Sequence, residues 1–267
     1  MTLSETTPAV GAPGPSNAVD FLLRDRTWGA YALGYIDPAA DVPTGVWTEP
    51  GGGTATSLVL LAQLPQLVSV FGAGDPAGVE RLLTRLPATP ASGVFAVQGE
   101  VLSALEQHFH VSTAYAMRRL RVDAGSLRPR HEVAVSRLGI DDLDAVARLY
   151  GMWTDNHQLP AQLTRGVYFG VYHGDDLVSV AGTHAVSPAY GVGAIGNVLT
   201  HISHRNRGLA STTTTAVAEE LLRMGCEEVV LNVRQGNDVA LATYRNLGFT
   251  QHCTFIEGVF HSRVGRR

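Results

Sequence analysis

The segment HRNRGLASTTTTAVAEELL, His204 to Leu222, joins a strand end to a helix start and so fixes how the chain around it is built. Leu209, Thr213, Ala216, Val217 and Leu221 recur at helical spacing, with Arg223 near the C-terminal end and Gly225 as a stop. The helix therefore begins close to Gly208, shortly after the strand AIGNVLTHI. A helix start that follows a strand end presents unpaired backbone N–H groups and the positive end of the helix dipole. A glycine there lets a ligand approach the backbone without meeting a side chain, and Arg205 and Arg207 add charge. The segment reads as a phosphate or pyrophosphate cradle that uses neither lysine nor metal.

Two better-known phosphate motifs do not compete with it. The Walker A pattern is absent, since no Gly-Lys-Ser or Gly-Lys-Thr occurs. GVGAIG, Gly191 to Gly196, matches the dinucleotide fingerprint, but it precedes a strand instead of opening a helix, and the acidic residues some twenty positions on fall inside the threonine helix. These glycines are expected to shape the start of a strand.

The remaining patterns describe an α/β chain. Helices are expected near Val19 to Trp28 and over DPAGVERLLTRL, EVLSALEQHF, DDLDAVARLYGMW and DVALATYRNL; strands over TSLVLLAQL, QLVSVFG, SGVFAVQG, STAYAMRRLRV, EVAVSRLG, EEVVLNVR and FTQHCTFIEGVF. GVYFGVYHGDDLVSVAGTHAV reads as a hairpin turning at His173 to Asp176. Helices between consecutive late strands imply parallel pairing inside a mixed sheet. With 267 residues, two domains are favoured: a disordered tail over 1–17, a first domain over 18–126 and a second over 131–267, with the turn-rich DAGSLRPRHE as the boundary. A net charge of −4 gives no reason to expect a nucleic-acid or membrane surface, no apolar run is long enough to span a bilayer, and the N-terminus lacks the features of a signal peptide. Two cysteines without zinc spacing suggest a reducing, cytoplasmic setting.

NVLTHISHRNRGLAS followed by LNVRQGNDVALATYRNLGF resembles the coenzyme A binding core of the Gcn5-related N-acetyltransferases (GNAT superfamily), most closely its FR47-like branch. Arg205, Gly208 and Ala210 fit the superfamily's Arg/Gln-x-x-Gly-x-Gly/Ala loop, and Asn237, Ala240, Tyr244, Gly248 and Phe249 fit its Asn-x-x-Ala-x-x-x-Tyr-x-x-x-Gly-Phe segment. The resemblance spans roughly residues 131–261. It implies a mixed central sheet of the GNAT type, acetyl-coenzyme A as cosubstrate and no metal. Val198, Leu199 and Thr200 would pair through their backbone with the pantetheine arm. Arg205, Asn206, Arg207, Gly208, Leu209, Ala210 and Ser211 would hold the pyrophosphate. Asn232, Asn237 and Ala240 would contact the coenzyme, and Tyr244 would point its hydroxyl at the thioester sulfur. Two departures are Ile202, where relatives often carry proline, and Asn206, which replaces a frequent glycine.

The same residues admit plainer roles. Asn237, Leu241 and Tyr244 share a helix face, so Tyr244 suits a core; Asn237 suits a helix cap; Arg205 and Arg207 suit solvated surface positions. His108 and His110 lie on an expected turn and read as surface residues. Attack of an amine on a thioester requires a proton acceptor, a donor for the developing oxyanion and a proton for the leaving thiolate. Tyr244 suits the last task and, by resemblance, a backbone N–H near Leu199 the second. For the first, Asp155, His157 and His184 are candidates.

The order of strands and helices from Gln66 to Val122 parallels the second half, which suggests a degenerate copy of the same fold, as in N-terminal domains of some bacterial relatives. Its counterpart of the cradle, FGAGDPAGV, has an acidic Asp75 and no arginine, and a carboxylate there repels pyrophosphate. One active site is therefore expected, transferring an acetyl group to a primary amine of a small molecule or peptide, with the first half as a scaffold that walls the acceptor pocket. The alternative is a non-catalytic acyl-coenzyme A sensor. The acceptor, acyl length and oligomeric state stay open.

Overall fold

The structure is a computed structural model that describes residues 15–65, 67–151 and 159–263. The chain divides into two compact units. The first takes in residues up to 24, 43–115 and from 255 onward, and the second 25–42 and 116–254. Neither is continuous in sequence, so a single cut near residues 127–130 does not separate them.

In the first unit, the hairpin β1 (Thr44–Gly51) and β2 (Thr54–Gln63) is followed by β3 (Val68–Gly74), antiparallel to β2, and by β4 (Ser92–Val97), parallel to β3. β4 then pairs antiparallel with Ile256–His261 of the last strand, β11 (Thr250–Ser262). Leu58, Val59 and Leu60 are fully buried in succession, which requires cover on both faces of β2, and α1 (Pro15–Leu23) and α3 (Pro76–Thr84) both pack on it. Val79, Leu82 and Leu83 of α3 meet Val70, Phe95, Val97 and Phe260 in one core, joined by Leu105 of α4 (Leu102–His108) and Phe109. Each such side chain contributes about 1.5–3 kcal/mol on burial. α1 begins at Pro15, within the segment 1–17 expected as a tail, and residues 1–14 of that segment lie outside the described residues.

In the second unit the strand order is the end of β5 (Phe109–Val122), then β10 (Glu228–Arg234), β9 (Val192–Thr200), β8 (Asp176–Ser187), β7 (Phe169–His173) and β6 (Ser136–Arg137). The β7–β8 hairpin turns where the sequence places it, and β9 runs parallel to β10. EVAVSRLG, expected as a full strand, pairs over only two residues at the edge. α7 (Leu209–Arg223) and α8 (Asp238–Asn246) supply Val217, Ala218, Leu221, Leu241 and Tyr244 to a core with Ile195, Leu231, Val233 and Phe249. α5 (Leu143–Gly151) and α6 (Leu159–Arg165), the latter without a clear sequence signal, pack Val146, Leu149, Tyr150 and Leu163 against Tyr168 and Val180. α2 (Arg26–Ile36) packs on β8, β9 and β10, so residues 25–42 belong with this unit and not with the half that surrounds them in sequence.

The four threonines of α7 are all buried. Thr212 and Thr213 donate to the carbonyls of Gly208 (3.3 Å) and Leu209 (3.1 Å), and Thr215 accepts from the Arg130 N–H (3.1 Å). Three of the four hydroxyls are thus satisfied, two of them bonded back to the preceding turn, whereas the buried Thr214 Oγ1 has no hydrogen-bond partner. Among the described residues no helix is long and apolar enough to cross a membrane, and Cys226 and Cys253 are free thiols.

Candidate active site

The site begins where two parallel strands part. β9 pairs with β10 only from Val192 to Ile195, opposite Glu228 to Leu231. Beyond that point β10 keeps its pairing with β5 (Asn232 with Arg119, Val233 with Arg118, Arg234 with Met117), while β9 keeps its pairing with β8 (Leu199 with Val180, Thr200 with Ser179). The main-chain groups of β9 from Gly196 to Thr200 that face β10 thus have no strand opposite them, which leaves an edge in the middle of a sheet.

Asn197 marks the parting. Its backbone is left-handed (φ 54°), which asparagine tolerates better than most residues, and one register shift between β8 and β9 spans it, between the Gly196 and Leu199 pairings. The Tyr150 hydroxyl donates to the Asn197 carbonyl. Asn197 Nδ2 donates to the Tyr168 hydroxyl (2.7 Å) and to Gln162 Oε1 (3.0 Å), and the Tyr168 hydroxyl donates to Gln162 Oε1 (3.2 Å). Burial raises both tyrosines well above the usual phenol range, so they stay protonated and act as fixed neutral partners.

The end of β9 leads into the cradle. Arg205 Nε donates to the Thr200 carbonyl (3.3 Å), and Asn206 (φ 60°) and Gly208 (φ 76°) are both left-handed. Such alternation turns successive N–H groups toward one point, an anion-binding concavity. Asn206 therefore meets the backbone demand that a glycine meets elsewhere. α7 starts with no side-chain cap on its first N–H groups. A Cβ on Gly208 would lie 2.6 Å from Oε2 of Glu132, the end of a flexible side chain that can move aside, so it is the backbone angle that calls for glycine. Arg205, Asn206 and Arg207 are exposed, Leu209 is buried, and Ala210 and Ser211 are half-buried.

On α8, Asn237 caps the helix by accepting from the Ala240 N–H (3.2 Å). Tyr244 is buried, edge-on to Phe249 with ring centroids 5.9 Å apart, and shares its core with Leu231, Val233, Ala240 and Val198, residues of α8 and of both parting strands. Burial pushes its phenol up to about 12, so it carries its proton throughout the neutral range. Asn232 lies on the opposite face of β10 from Leu231 and Val233, and its Oδ1 accepts from Arg119 Nε (3.0 Å).

Arg119, fully buried, also donates to the carbonyls of Thr27 (3.2 Å) and Trp28 (2.6 Å) and lies over the rings of Trp28 and Tyr31. That arrangement brings α2 to the site. Tyr31 stands 5.9 Å from His184, whose ring covers Gly196 so closely that a Cβ there would meet Cδ2 at 1.9 Å. His184 is exposed, and the protein packed around its ring drives its imidazole down to about 4 by desolvation, which keeps it neutral at neutral pH. Of the other two base candidates, Asp155 and His157 both lie outside the described residues.

Residues 140–249 match the model of the acetyltransferase (GNAT) family. The match places a GNAT domain here. No curated protein sequence matches significantly. Solved structures with this fold include a GCN5-related N-acetyltransferase from Kribbella flavida (19% identity, TM-score 0.61, covering 90% of this chain and 95% of that one). A Drosophila protein aligns at 14% identity with TM-score 0.69, over 95% of this chain and 98% of its own. A tandem GNAT protein from the clavulanic acid biosynthesis pathway aligns at 14% identity with TM-score 0.54, over 94% and 95%. The GNAT fold thus accounts for the mixed sheet.

In the GNAT domain the residues expected from the loop and helix motifs stand on the elements that frame the parting strands. Sequence reasoning missed Tyr31, Arg119, Tyr150, Gln162 and Tyr168. They come from five separated positions, and a single sequence carries no signal that relates them.

Proposed function

We propose that this protein is an N-acyltransferase that moves an acetyl group from acetyl-coenzyme A to a primary amine. The observation that carries the reading is the parting of β9 from β10 beside an uncapped helix N-terminus with two arginines. An extended amide-bearing arm followed by a pyrophosphate matches that pair of features: main-chain groups of Val198, Leu199 and Thr200 bond the arm as a neighbouring strand would, and Arg205 to Ser211 receive the phosphates. By their loop and helix residues the chain stands nearest the FR47-like branch.

The residues then divide the chemistry. A backbone N–H near Leu199 donates to the oxyanion that develops as the amine attacks the thioester carbon, and collapse of that intermediate expels the thiolate. The Tyr244 hydroxyl, held protonated by burial, donates to the thiolate as it leaves. His184, beside Gly196 at the parting of the strands, is a neutral acceptor. With its pKa near 4 it is a weak base for an ammonium, so its role is to accept a hydrogen bond from the incoming amine or an intervening water. The first unit holds no second site: its helix α3 is closed by Asp75, whose carboxylate accepts from the Gly78 N–H (2.9 Å).

The test is incubation with labelled acetyl-coenzyme A and a panel of amines, reading thiol release and labelled products by mass spectrometry. Amine-dependent thiol release with a labelled amide product is expected. Saturable coenzyme binding with no turnover beyond hydrolysis would show a sensor in place of an enzyme.

A further inference from the structure

Three histidines gather beside the cradle without belonging to it. The His204 ring lies 5.2 Å from that of His173, at the end of β7, and 5.8 Å from that of His201, just past the end of β9. Ser203 ties two of them together, its hydroxyl 2.7 Å from His201 Nδ1 and 2.9 Å from His204 Nδ1. The described residues contain no group of three such side chains placed to hold a metal ion. The charges that act on His204 are Arg207 from its own loop, His173 and Asp176 from the β7–β8 hairpin, and His201 from its own turn. Arg205 follows it directly in sequence, and Glu132 stands over Gly208 on the far side of the loop.

Three imidazoles and two guanidiniums therefore crowd one turn, against Asp176 and Glu132. Protonation there is self-limiting: after desolvation, Arg207, His173 and His201 all hold His204 below the ordinary imidazole range. An anion placed alongside reverses that balance, because it favours the charged form of each ring it faces. We propose that His173, His201 and His204 form a proton-linked contact for the phosphates of the coenzyme, flanking the N–H groups of the cradle. This rests on the reading of the site as a coenzyme A site.

The linkage has a definite sign. A bound phosphate raises the depressed His204 pKa, so binding takes up a proton between its free and bound values, and affinity rises as pH falls through that window. One ring shifted by about one pKa unit corresponds to a tenfold change in affinity. A phosphate monoester also titrates near pH 6, in the opposing direction, so wild type and variants must be compared with the same ligand.

Calorimetric titration with acetyl-coenzyme A from pH 8 to pH 6, in two buffers of different ionisation enthalpy and at fixed ionic strength, reads affinity and proton uptake together. Wild type is expected to take up protons and to bind about tenfold more tightly at the acid end. His204→Gln and His173→Gln, made separately, are expected to cut the uptake and flatten the profile while still binding at pH 8. Repeating the titration with dephospho-coenzyme A assigns the contact: uptake lost there places it on the 3′-phosphate, and uptake kept places it on the pyrophosphate. Saturable binding with no proton uptake, or uptake unchanged in both variants, overturns the proposal and leaves the coenzyme site standing. No binding at any pH overturns both.

Discussion

Asn197 stands just past the point where β9 leaves β10, and replacing it separates two contributions. Asn197→Ala removes the Nδ2 bonds to Tyr168 (2.7 Å) and Gln162 (3.0 Å), leaving partners in a buried setting, at about 1–3 kcal/mol. It also places a Cβ without a polar group at φ 54°, which costs about 1–2 kcal/mol. Asn197→Gly loses the same two bonds but carries no backbone strain at this angle; its looser unfolded chain costs about 0.4–1 kcal/mol. The alanine variant is therefore expected to be less stable than wild type by about 2–5 kcal/mol, and the glycine variant to recover about 1 kcal/mol of that. Urea denaturation of both, with the slope checked for constancy, measures the difference, and coenzyme titration shows whether the glycine variant also binds more tightly than the alanine variant. Alanine as stable as glycine, or more so, would refute the claim that the residue at the parting is left-handed.

Gly208→Glu is expected to abolish coenzyme binding, since it puts a second carboxylate at the helix start, and to cost about 1–2 kcal/mol of stability for a side chain at φ 76°; unchanged affinity by calorimetry would remove the cradle. Asp75→Ala is expected to leave the stoichiometry at one coenzyme per chain, and two sites in the unmutated protein would show that the first unit binds as well. Tyr244→Phe keeps the ring against Phe249 and is expected to leave coenzyme affinity within about threefold while lowering turnover roughly ten- to a thousandfold, less so for donors whose leaving thiol has a low pKa. Full turnover in that variant would make Tyr244 a packing residue.

The sequence made local features legible because their causes are local. The α7 start, the Asn237 cap, the Asp75 cap and the His173–Asp176 turn each depend on residues within a few positions, and all stand where the pattern puts them. EVAVSRLG shows the limit: it alternates like a strand, yet only Ser136 and Arg137 find a partner, since pairing depends on what lies alongside. The two units were illegible for the same reason. β4 is completed by the end of the chain and β10 by a strand from before residue 123, and α2 joins the later unit through Arg119, a residue some ninety positions away. Nothing in the sequence singles out Asn197, because its role lies in a backbone angle and in three partners distant in sequence.

The central claim is that the coenzyme occupies the gap between β9 and β10 and the turn that follows. Amide hydrogen exchange with and without acetyl-coenzyme A reads this directly, since a bound arm must protect the N–H groups it pairs with. Slowed exchange is expected over Val198 to Thr200 and over Arg205 to Ser211, with the α3 start in the first unit unchanged. Protection confined to other segments, or none at saturating coenzyme, would contradict it.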